Sequence, residues 1–527
     1  MSDAAVDPHA DWKPQANPWL IAVAVTIATF MEVLDTTIVN VALPHIAGSL
    51  SASAEEATWA LTSYLVANGI VLTISGWLGD LLGRKRYFII CIAMFTFFSF
   101  MCGAATSLGQ LIAFRLAQGF FGGGMQPNQQ SIILDTFPPA QRGAAFGVAA
   151  MATIVAPVLG PTLGGFITDQ SSWRWIFYLN VPVGVIAVFL VMALVEDPPW
   201  VKERKSRGMD FIGLSLIAIG LGSLEVMMDR GQDEDWFSSP FIKLMAVMAF
   251  LGILGAIFWL LVARKPIVHL DVFKDRNFST GCFMIAATGG ILYASAVMIP
   301  QLAQQYLGYT ATWSGMILSP GGLMVIMLIP IVGRLLKITP ARNLIALGFT
   351  IMGFSMLYSS HLAANINFGA LVGMRLFQTT ALAFLFVPIS TVAYMTLPRD
   401  LNPDGVALFS MFRNVAGSIG IALSTSFVVQ RSQIHQTYLA EMGTPLRQPF
   451  DDLVMQYSNS LVAMGHSAAV AQQMALGRIY RMIQTQAAIM SYSDTFVACA
   501  VVAFLVAPFA FLMTARKSDG GGAGAAH

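Results

Sequence analysis

Long apolar runs alternate with short polar breaks from residue 19 to residue 515. A helix needs about 20 apolar residues to cross the hydrocarbon core of a bilayer, and these runs reach that length. We therefore predict an all-α polytopic membrane protein. Its fourteen predicted transmembrane helices lie at residues 19–43, 58–81, 87–106, 109–134, 142–167, 176–195, 211–229, 241–263, 278–304, 313–333, 341–361, 366–395, 405–428 and 488–515.

Lys and Arg in the connecting segments predict the orientation, because cytoplasmic loops carry an excess of these residues. With the N-terminus inside, the short outer loops hold only Arg174, Arg230 and Lys243. The cytoplasmic connections then hold Arg84, Lys85, Arg86, Arg142, Lys202, Arg204, Lys205, Arg207, Arg264, Lys265, Lys274, Arg276, Arg334, Lys337, Arg342 and Arg399. Both termini are therefore predicted to be cytoplasmic, and an even number of spans agrees.

The spans divide the chain into predicted regions. A cytoplasmic tail at 1–18 precedes a six-helix bundle at 19–195, and residues 196–277 form linkers with two inserted helices. A second six-helix bundle at 278–515 is followed by a cytoplasmic tail at 516–527. The first eighteen residues have no basic start, and no cleavage site follows them, so the first span is predicted to stay uncleaved.

One predicted outer loop, residues 429–487, is much longer than the others. Loops near 60 residues escape the charge rule, so its arginines do not contradict the orientation. Its stretch from Ser467 to Gln486 is rich in Ala, Gln and Met, which favours a helix standing above the membrane. The loop is predicted to be either a spacer or a docking surface for a periplasmic partner.

The chain contains an internal repeat. Leu111, Arg115, Leu116 and Gln118 return with the same spacing 260 residues later, as Leu371, Arg375, Leu376 and Gln378. The segment from Gly79 to Arg86 has a weaker echo in Gly333, Arg334 and Lys337, at an offset of 254 residues. Two parallel six-span units separated by an inserted pair explain this pattern, and such units place a central cavity between them near the bilayer midplane.

Composition excludes several classes of protein. The chain is 56% hydrophobic and 11% charged with a formal net charge of +1, so no global field recruits nucleic acid. The four cysteines lie in apolar runs without C-x-x-C spacing, and no two histidines are three or four residues apart, so neither a disulfide framework nor a metal site is predicted. No nucleotide-binding G-x-x-x-x-G-K-[ST] stretch and no G-x-S-x-G hydrolase stretch occurs, so we predict neither an enzyme nor a bound cofactor.

Charged side chains inside predicted spans are candidates for function, because each is costly in lipid and must face a cavity or a partner. Asp35 is the first candidate, and the alternative is a carboxylate that only bonds a neighbouring helix. Glu32 lies on nearly the same helix face and either shares that role or lies closer to lipid. Arg115 is a permanent cation that needs several acceptors in a span, and an anchor to backbone carbonyls is one way to supply them. Glu225 either faces the interior or lies at the membrane interface.

Several ordered motifs resemble the major facilitator superfamily, and specifically its fourteen-span drug:proton antiporters of the EmrB/QacA type. The first span holds Leu34-Asp35-Thr36-Thr37-Ile38-Val39-Asn40-Val41-Ala42-Leu43-Pro44, and residues 76–86 read Gly-Trp-Leu-Gly-Asp-Leu-Leu-Gly-Arg-Lys-Arg. The fourth span holds Arg115-Leu116-Ala117-Gln118-Gly119, and the fifth holds Gly160-Pro161-Thr162-Leu163-Gly164-Gly165. Residues 173–177, with Asn180 and Pro182, add a further stretch. The resemblance covers nearly the whole chain.

The resemblance implies a proton-driven exporter of hydrophobic or cationic drugs that works by alternating access. It implies proton coupling at Asp35, Arg115 and Glu32, with no cofactor beyond the proton gradient. Candidates for the substrate cavity are Asp35, Glu32, Gln118, Gln126, Asn128, Glu225, Arg375, Gln378 and Arg413. A conformational latch is implied at Gly79, Asp80, Gly83, Arg84, Lys85 and Arg86, facing Asp404.

The glycines and prolines of the fifth predicted span have two interpretations. Pro157, Gly160, Pro161, Gly164 and Gly165 permit bending and close helix approach, which generic small-residue packing also explains. The resemblance implies that this helix is the antiporter motif and that transport is outward.

The resemblance also implies a bacterial inner-membrane location and two protein partners, a periplasmic adaptor and an outer-membrane channel. Two other functions stay open: a dedicated exporter of a metabolite, siderophore or lipid-like substrate, and a membrane sensor that transports nothing. The tails are too short for a soluble signalling domain, which disfavours the sensor.

Overall fold

The computed structural model describes residue 12 and residues 14–202, 210–398, 401–442 and 448–513. Regular secondary structure within these ranges is helical throughout, which confirms the predicted all-α class. The predicted cytoplasmic charges at Arg204, Lys205, Arg207 and Arg399 lie outside the described residues, as do most of the N-terminal tail and the tail at 516–527.

The first six predicted spans form a unit of eight helices, called here the first unit. These are α1 (Pro18–Ser49), α2 (Ala54–Leu82), α3 (Arg84–Ala104), α4 (Leu108–Gly122), α5 (Met125–Thr136), α6 (Pro139–Gln170), α7 (Arg174–Tyr178) and α8 (Asn180–Leu194). Side chains cap several of them. Asn17 accepts a hydrogen bond from Trp19 N at the start of α1, and Ser53 with Glu56 forms a capping box at α2.

The fourth predicted span is interrupted where α4 ends and α5 begins. Gly123 and Gly124 lie at the break, and a Cβ on Gly123 would collide with the backbone carbonyl of Asn68 on α2. A Cβ on Gly124 would collide with Tyr87 of α3. Glycine therefore lets the broken helix lie directly against two neighbours.

Two inserted helices, called here the inserted pair, follow the short helix α9 (Pro199–Lys202). They are α10 (Phe211–Arg230) and α11 (Pro240–Val262), joined through a 3₁₀ turn at Trp236–Ser238. Asp210 ties their ends together, because it accepts hydrogen bonds from Gly213 N at 2.9 Å, Trp259 Nε1 at 2.9 Å and Ile267 N at 3.3 Å. Large apolar side chains of α11, including Phe250 and Phe258, point outward, as lipid contact requires.

The second unit begins after a 3₁₀ segment at Leu270–Lys274. It contains α12 (Arg276–Gln305), α13 (Ala311–Ile338), α14 (Ala341–Ser359), α15 (Phe368–Ala393), α16 (Asn402–Met442), α17 (Gln448–Ala463) and α18 (Ala468–Val506), and a 3₁₀ segment at Ala507–Leu512 follows. One apolar cluster runs through both units and the inserted pair, and two smaller clusters lie within the first unit.

The number of spans can be compared with the prediction. Twelve helices in the described part of the chain are long and apolar enough to cross a membrane, or thirteen if the bent α6 counts as one span. The remaining predicted span is the one divided between α4 and α5. The structure is consistent with fourteen crossings, and the number itself stays a prediction, as does the cytoplasmic location of both termini.

The two units meet along a small set of helices. α6 packs against α1 of its own unit and against α13 of the other, while α2 and α5 of the first unit contact α16 of the second. Between them lies the polar region described below. This arrangement places residues of both units around one centre.

The long predicted outer loop is helical over most of its described length. α16 has 41 residues and α18 has 39, so each extends well beyond the roughly 20 residues that a bilayer needs. The predicted helix at 467–486 is confirmed, since α18 begins at Ala468. Asp494 of α18 joins the two long helices by accepting from Arg431 Nε at 2.6 Å and by contacting His435 Nε2 at 2.8 Å.

Candidate functional site

Asp35 lies fully buried in the first unit, among three polar side chains that form with it what is called here the Asp35 centre. Arg115 Nη1 lies 2.5 Å from Asp35 Oδ2 and forms an ion pair with it. Gln118 Nε2 and Asn180 Nδ2 donate to Asp35 Oδ1 at 3.1 and 2.7 Å. The carboxylate therefore has the charge and the donors that an ionised acid needs away from water.

Arg115 is satisfied by more than its ion pair. Its Nε donates to the backbone carbonyl of Ala60 at 3.1 Å, and its Nη1 also donates to Gln118 Oε1 at 2.9 Å. The guanidinium carbon lies 4.1 Å from the centroid of the Tyr64 ring, which is a cation–π contact. Arg115 therefore contacts both Asp35 and a backbone carbonyl, and its role in proton coupling stays a prediction.

Glu32 faces the protein interior and does not face lipid. Three donors surround its carboxylate: Tyr64 Oη at 3.3 Å, Asn68 Nδ2 at 3.0 Å and Gln126 Nε2 at 2.9 Å. The Tyr64 side chain that donates to Glu32 also packs against the guanidinium of Arg115, which pairs with Asp35. Glu32 and the Asp35 centre are therefore adjacent parts of one polar network.

The network continues into the second unit. Gln126 uses its amide nitrogen for Glu32 and its carbonyl oxygen to accept from Arg413 Nη2 of α16. Two further contacts cross between the units close by: Gln130 Nε2 donates to Ser410 Oγ, and Tyr394 Oη donates to Gln130 Oε1. Hydrogen bonds thus connect Arg413 in one unit with Glu32 in the other.

A small pocket lies at this boundary between the units. It is lined by Gln126, Gln129, Gln130, Phe146, Ala149, Ala150, Phe386, Ser390 and Arg413. Amide, hydroxyl and guanidinium groups stand beside two phenyl rings, which suits a ligand with an apolar body and a polar group. Of the predicted cavity residues, Gln126 and Arg413 line this pocket and Glu32 is one hydrogen bond away.

The other predicted cavity residues lie elsewhere. Asp35 and Gln118 are inside the first unit, and Asn128 donates to the backbone carbonyl of Arg84 at 2.9 Å. Arg375 and Gln378 are buried inside the second unit. Sequence position alone does not separate a pocket residue from one inside a bundle, because both lie in apolar spans.

The predicted latch residues make contacts within the first unit. Arg84 forms an ion pair with Asp135 and donates to the backbone carbonyl of Ser131. The backbone nitrogen of Lys85 donates to Asp197 at 2.8 Å, while Arg86 is exposed and Gly83 has φ of 83°. Only glycine adopts that φ readily, which explains its place at the sharp turn between α2 and α3.

The predicted partner of the latch is Asp404, and the start of α16 that carries it also lies next to α2. A Cβ on Gly76 would lie 2.8 Å from the carbonyl oxygen of Pro403, so α2 and the start of α16 touch there. Asp404 Oδ2 lies 3.2 Å from Nδ1 of His269, which precedes the second unit. Gly79 is buried and Asp80 half-buried on the same turn of α2. The latch between these elements remains a prediction.

The predicted antiporter-motif helix, α6, lies against the segment that carries Asp35. A Cβ on Gly160 would collide with Thr37 of α1, and one on Gly164 would lie 2.8 Å from Ile38 Cγ1. The helix bends by 41° near Pro157, and Pro161 lies one turn beyond. Gly165 is buried as well. These small residues permit contact with α1, so they bear directly on the position of Asp35.

The second unit repeats the polar pattern with one difference. Arg375 Nη1 donates to Gln378 Oε1 at 3.2 Å, as Arg115 does to Gln118. It also donates at 3.2 Å to Ser295, which lies 260 residues after Asp35, the same offset as between the two arginines. The repeat therefore places a serine where the first unit has the acid, and applying the known offset to Asp35 would have identified it.

Glu225 lies inside the protein, and its depth relative to the membrane interface stays a prediction. It is buried on α10, where its side chain packs against Gly69 of α2. Its side-chain hydrogen-bond partner is Ser418 of α16. One turn later, Thr62 of α2 donates to Asp229. The inserted pair thus contacts both units through polar side chains.

Long helices with lipid-facing apolar surfaces, a buried ion pair and a polar pocket between two repeated units define a multi-pass membrane protein of the two-unit carrier type. The chain belongs to the Major Facilitator Superfamily, whose sequence pattern matches residues 25–421.

Relatives and a solved structure agree with this family. The chain is 36% identical to multidrug export protein EmrB of Escherichia coli (strain K12), over 96% of this chain and 98% of that protein. It is 31% identical to fatty acid resistance protein FarB of Neisseria gonorrhoeae, over 97% and 98%. The human organic anion transporter MFSD10 has the same fold, with a TM-score of 0.57 at 12% identity, over 93% of this chain and 100% of that one.

Proposed function

We propose that this protein is a proton-driven multidrug exporter of a bacterial inner membrane. The observation that carries the proposal is the buried Asp35–Arg115 pair, which is joined through Tyr64, Glu32 and Gln126 to Arg413 at the pocket. The similarity to a protein named as a multidrug export protein supports the substrate class.

A proton at Asp35 would change the balance of its contacts. An ionised Asp35 neutralises Arg115, whereas a protonated Asp35 leaves the guanidinium to the Ala60 carbonyl, Gln118 and the Tyr64 ring. Because Tyr64 also donates to Glu32, movement of Arg115 reaches the acid that is connected to the pocket. Substrate binding and proton binding would then compete through one network, so that proton binding favours substrate release, which is the requirement for exchange.

The proton gradient supplies the energy in this mechanism. A charge that crosses 100 mV is worth about 2.3 kcal/mol, so entry of one or two protons supports export without a nucleotide. No cofactor takes part in the proposed cycle. Transport in liposomes that contain no ATP tests this directly.

The decisive experiment is drug transport into proteoliposomes with an imposed pH gradient. Wild type should accumulate drug against its gradient, and Asp35→Asn should lose uphill transport while still binding drug. Asp452→Asn is the matched control, because Asp452 is exposed on α17, outside the bundle. Uphill transport by Asp35→Asn at the wild-type rate would refute the assignment of the proton site.

Export of lipid-like acids is a second candidate function. Arg413 is the charged residue among those lining the pocket, and it would attract a carboxylate head group. The relative named as a fatty acid resistance protein supports this substrate class. Arg413→Gln should lose transport of a long-chain carboxylate but keep transport of its uncharged methyl ester. Equal loss of both would count against a head-group contact.

We further propose that the ends of α16 and α18, with α17, dock a periplasmic adaptor that leads to an outer-membrane channel. These helices expose apolar side chains beyond the bundle, including Met455, Val462 and Met464. The competing prediction is a plain spacer. Recovery of an adaptor with the full chain, and its loss after residues 448–463 are replaced by a short linker, would support docking; full drug resistance after the replacement would support the spacer.

A further inference from the structure

The repeated polar centre of the second unit lacks the acid that balances its counterpart. The Arg375 centre consists of Arg375, Ser295, Gln378 and Ser359, and Gln378 Nε2 donates to Ser359 Oγ at 2.8 Å. Arg375 is 1% exposed, and its partners within the described residues are neutral. A guanidinium stays charged in a protein, so this buried cation has no counter-charge from the described part of the chain.

The comparison of the two centres shows what is missing. Arg115 has a carboxylate from Asp35 and gives its Nε to the Ala60 carbonyl, while its Nη2 is buried without a hydrogen-bond partner among the described residues. Arg375 has the Ser295 hydroxyl at the repeated position, and there Nε is the buried nitrogen without such a partner. Each centre therefore has one unused N–H donor, and the second differs in lacking a negative group beside its arginine.

We propose that the Arg375 centre binds a small monovalent anion, such as chloride, in the place that the Asp35 carboxylate takes in the first unit. The change from Asp to Ser removes a single carboxyl group, so the missing charge is one and the missing volume is small. Arg375 Nε and Nη1 would donate to the anion, together with the Ser295 hydroxyl. Lateral packing by helices on all sides disfavours a large organic anion.

The test measures thermal unfolding of the purified full chain in detergent, in sodium chloride and in sodium gluconate at equal ionic strength. An anion that binds only the folded protein raises the melting temperature in a saturable way, and we expect a rise of roughly 2 to 4 °C for chloride. Bromide should act like chloride. An equal melting temperature in chloride and gluconate would overturn the proposal.

Variants then locate the effect. Ser295→Asp supplies the missing carboxylate, so it should be as stable in gluconate as in chloride, and Arg375→Gln should also lose the response. Ser355→Ala is the matched control: it removes another buried hydroxyl of the second unit, one bonded only to the backbone of its own helix, and should keep the response. Loss of the response in Ser355→Ala, or its retention in Ser295→Asp, would contradict the assignment.

Two further measurements distinguish a small anion at the Arg375 centre from an anion at the pocket and from a long-chain substrate. Arg413→Gln should keep the chloride response, and loss of the response in that variant alone would move the site to the pocket. A long-chain carboxylate should not replace chloride in gluconate buffer. Stabilisation by the long-chain carboxylate but not by chloride would overturn the proposal and assign the centre to substrate.

Discussion

Asp35 accepts hydrogen bonds from two amides in addition to its ion pair, and Glu32 is held by neutral donors. Amide and phenol groups can reorient around a carboxyl that gains or loses a proton, whereas a second fixed charge would hold it in one state. The neutral donors around Glu32 therefore hold its carboxyl less rigidly than Arg115 holds Asp35.

Arg115→Lys should keep the charge of Arg115 but lose most transport. Lysine cannot reach Asp35, Gln118 and the Ala60 carbonyl in one fixed geometry, and it stacks less well on Tyr64. We expect uphill transport in proteoliposomes to fall at least tenfold, about 1.4 kcal/mol, with little change in the melting temperature. A wild-type transport rate would show that charge alone suffices.

Part of this site could be predicted from the sequence. Asp35 and Arg115 are charges in apolar spans, so each was a candidate from the sequence, whereas a role of Arg115 with Asp35 was implied only by the family resemblance. Tyr64, Asn68 and Asn180 were not assigned roles, because a neutral polar residue in a span gives no comparable signal. Their function depends on contacts between helices far apart in the chain, which single-sequence patterns do not contain.

At the scale of single helices, glycine and proline determine how closely neighbours approach. α6 contacts α1 through Gly160 and Gly164, so the motif helix is packed against the residues that follow Asp35. The sequence predicted close packing in α6 but not its partner. The neighbour could not be inferred, because small residues allow close contact with any adjacent helix.

Gly160→Ala should destabilise the protein, since its Cβ would collide with Thr37. Overpacking of this kind costs about 1–3 kcal/mol, which thermal unfolding detects readily. Gly373→Ala on α15 is the matched control, because no atom lies within 4 Å of the Cβ it would add. The two variants should differ clearly in melting temperature; equal values would mean that α1 and α6 are further apart than described.

Asp210→Ala should loosen the inserted pair. Asp210 caps α10 and also holds Trp259 and Ile267, so its loss should cost more than the roughly 1 kcal/mol of an ordinary N-cap. Asp275→Ala provides the comparison, because Asp275 caps α12 through Phe278 N. Hydrogen exchange should speed up across residues 211–216 in Asp210→Ala. Unchanged exchange there would show that the cap is dispensable.

At the scale of the whole molecule, the repeat is the feature that sequence and structure share most fully. The 260-residue offset predicted two units, and the structure shows corresponding arginine–glutamine pairs in both. The sequence did not reveal that the second arginine–glutamine pair lacks an acid, because Ser295 is uncharged and a neutral residue in a span gives no signal of a site. The interruption between α4 and α5 was also missed, although residues 122–131 are rich in glycine and polar side chains, which is a signal for a break.

The predicted orientation can be tested by labelling introduced cysteines with a membrane-impermeant maleimide. The four native cysteines are buried, so background labelling should be low. Gly477→Cys on the exposed start of α18 should react in intact spheroplasts, whereas Lys337→Cys, exposed at the end of α13, should react only after the membrane is opened. The reverse pattern would invert the topology.

The length of α16 and α18 has a mechanical consequence. With a rise of 1.5 Å per residue, α16 is about 60 Å long, roughly twice the hydrocarbon thickness. An unbroken helix transmits tilt along its whole length, and Asp494, Arg431 and His435 tie the two helices together. In the proposed transport cycle, a small tilt of the second unit within the bilayer would therefore become a larger displacement at the far tip. The two helices would then act as a lever arm on the proposed adaptor.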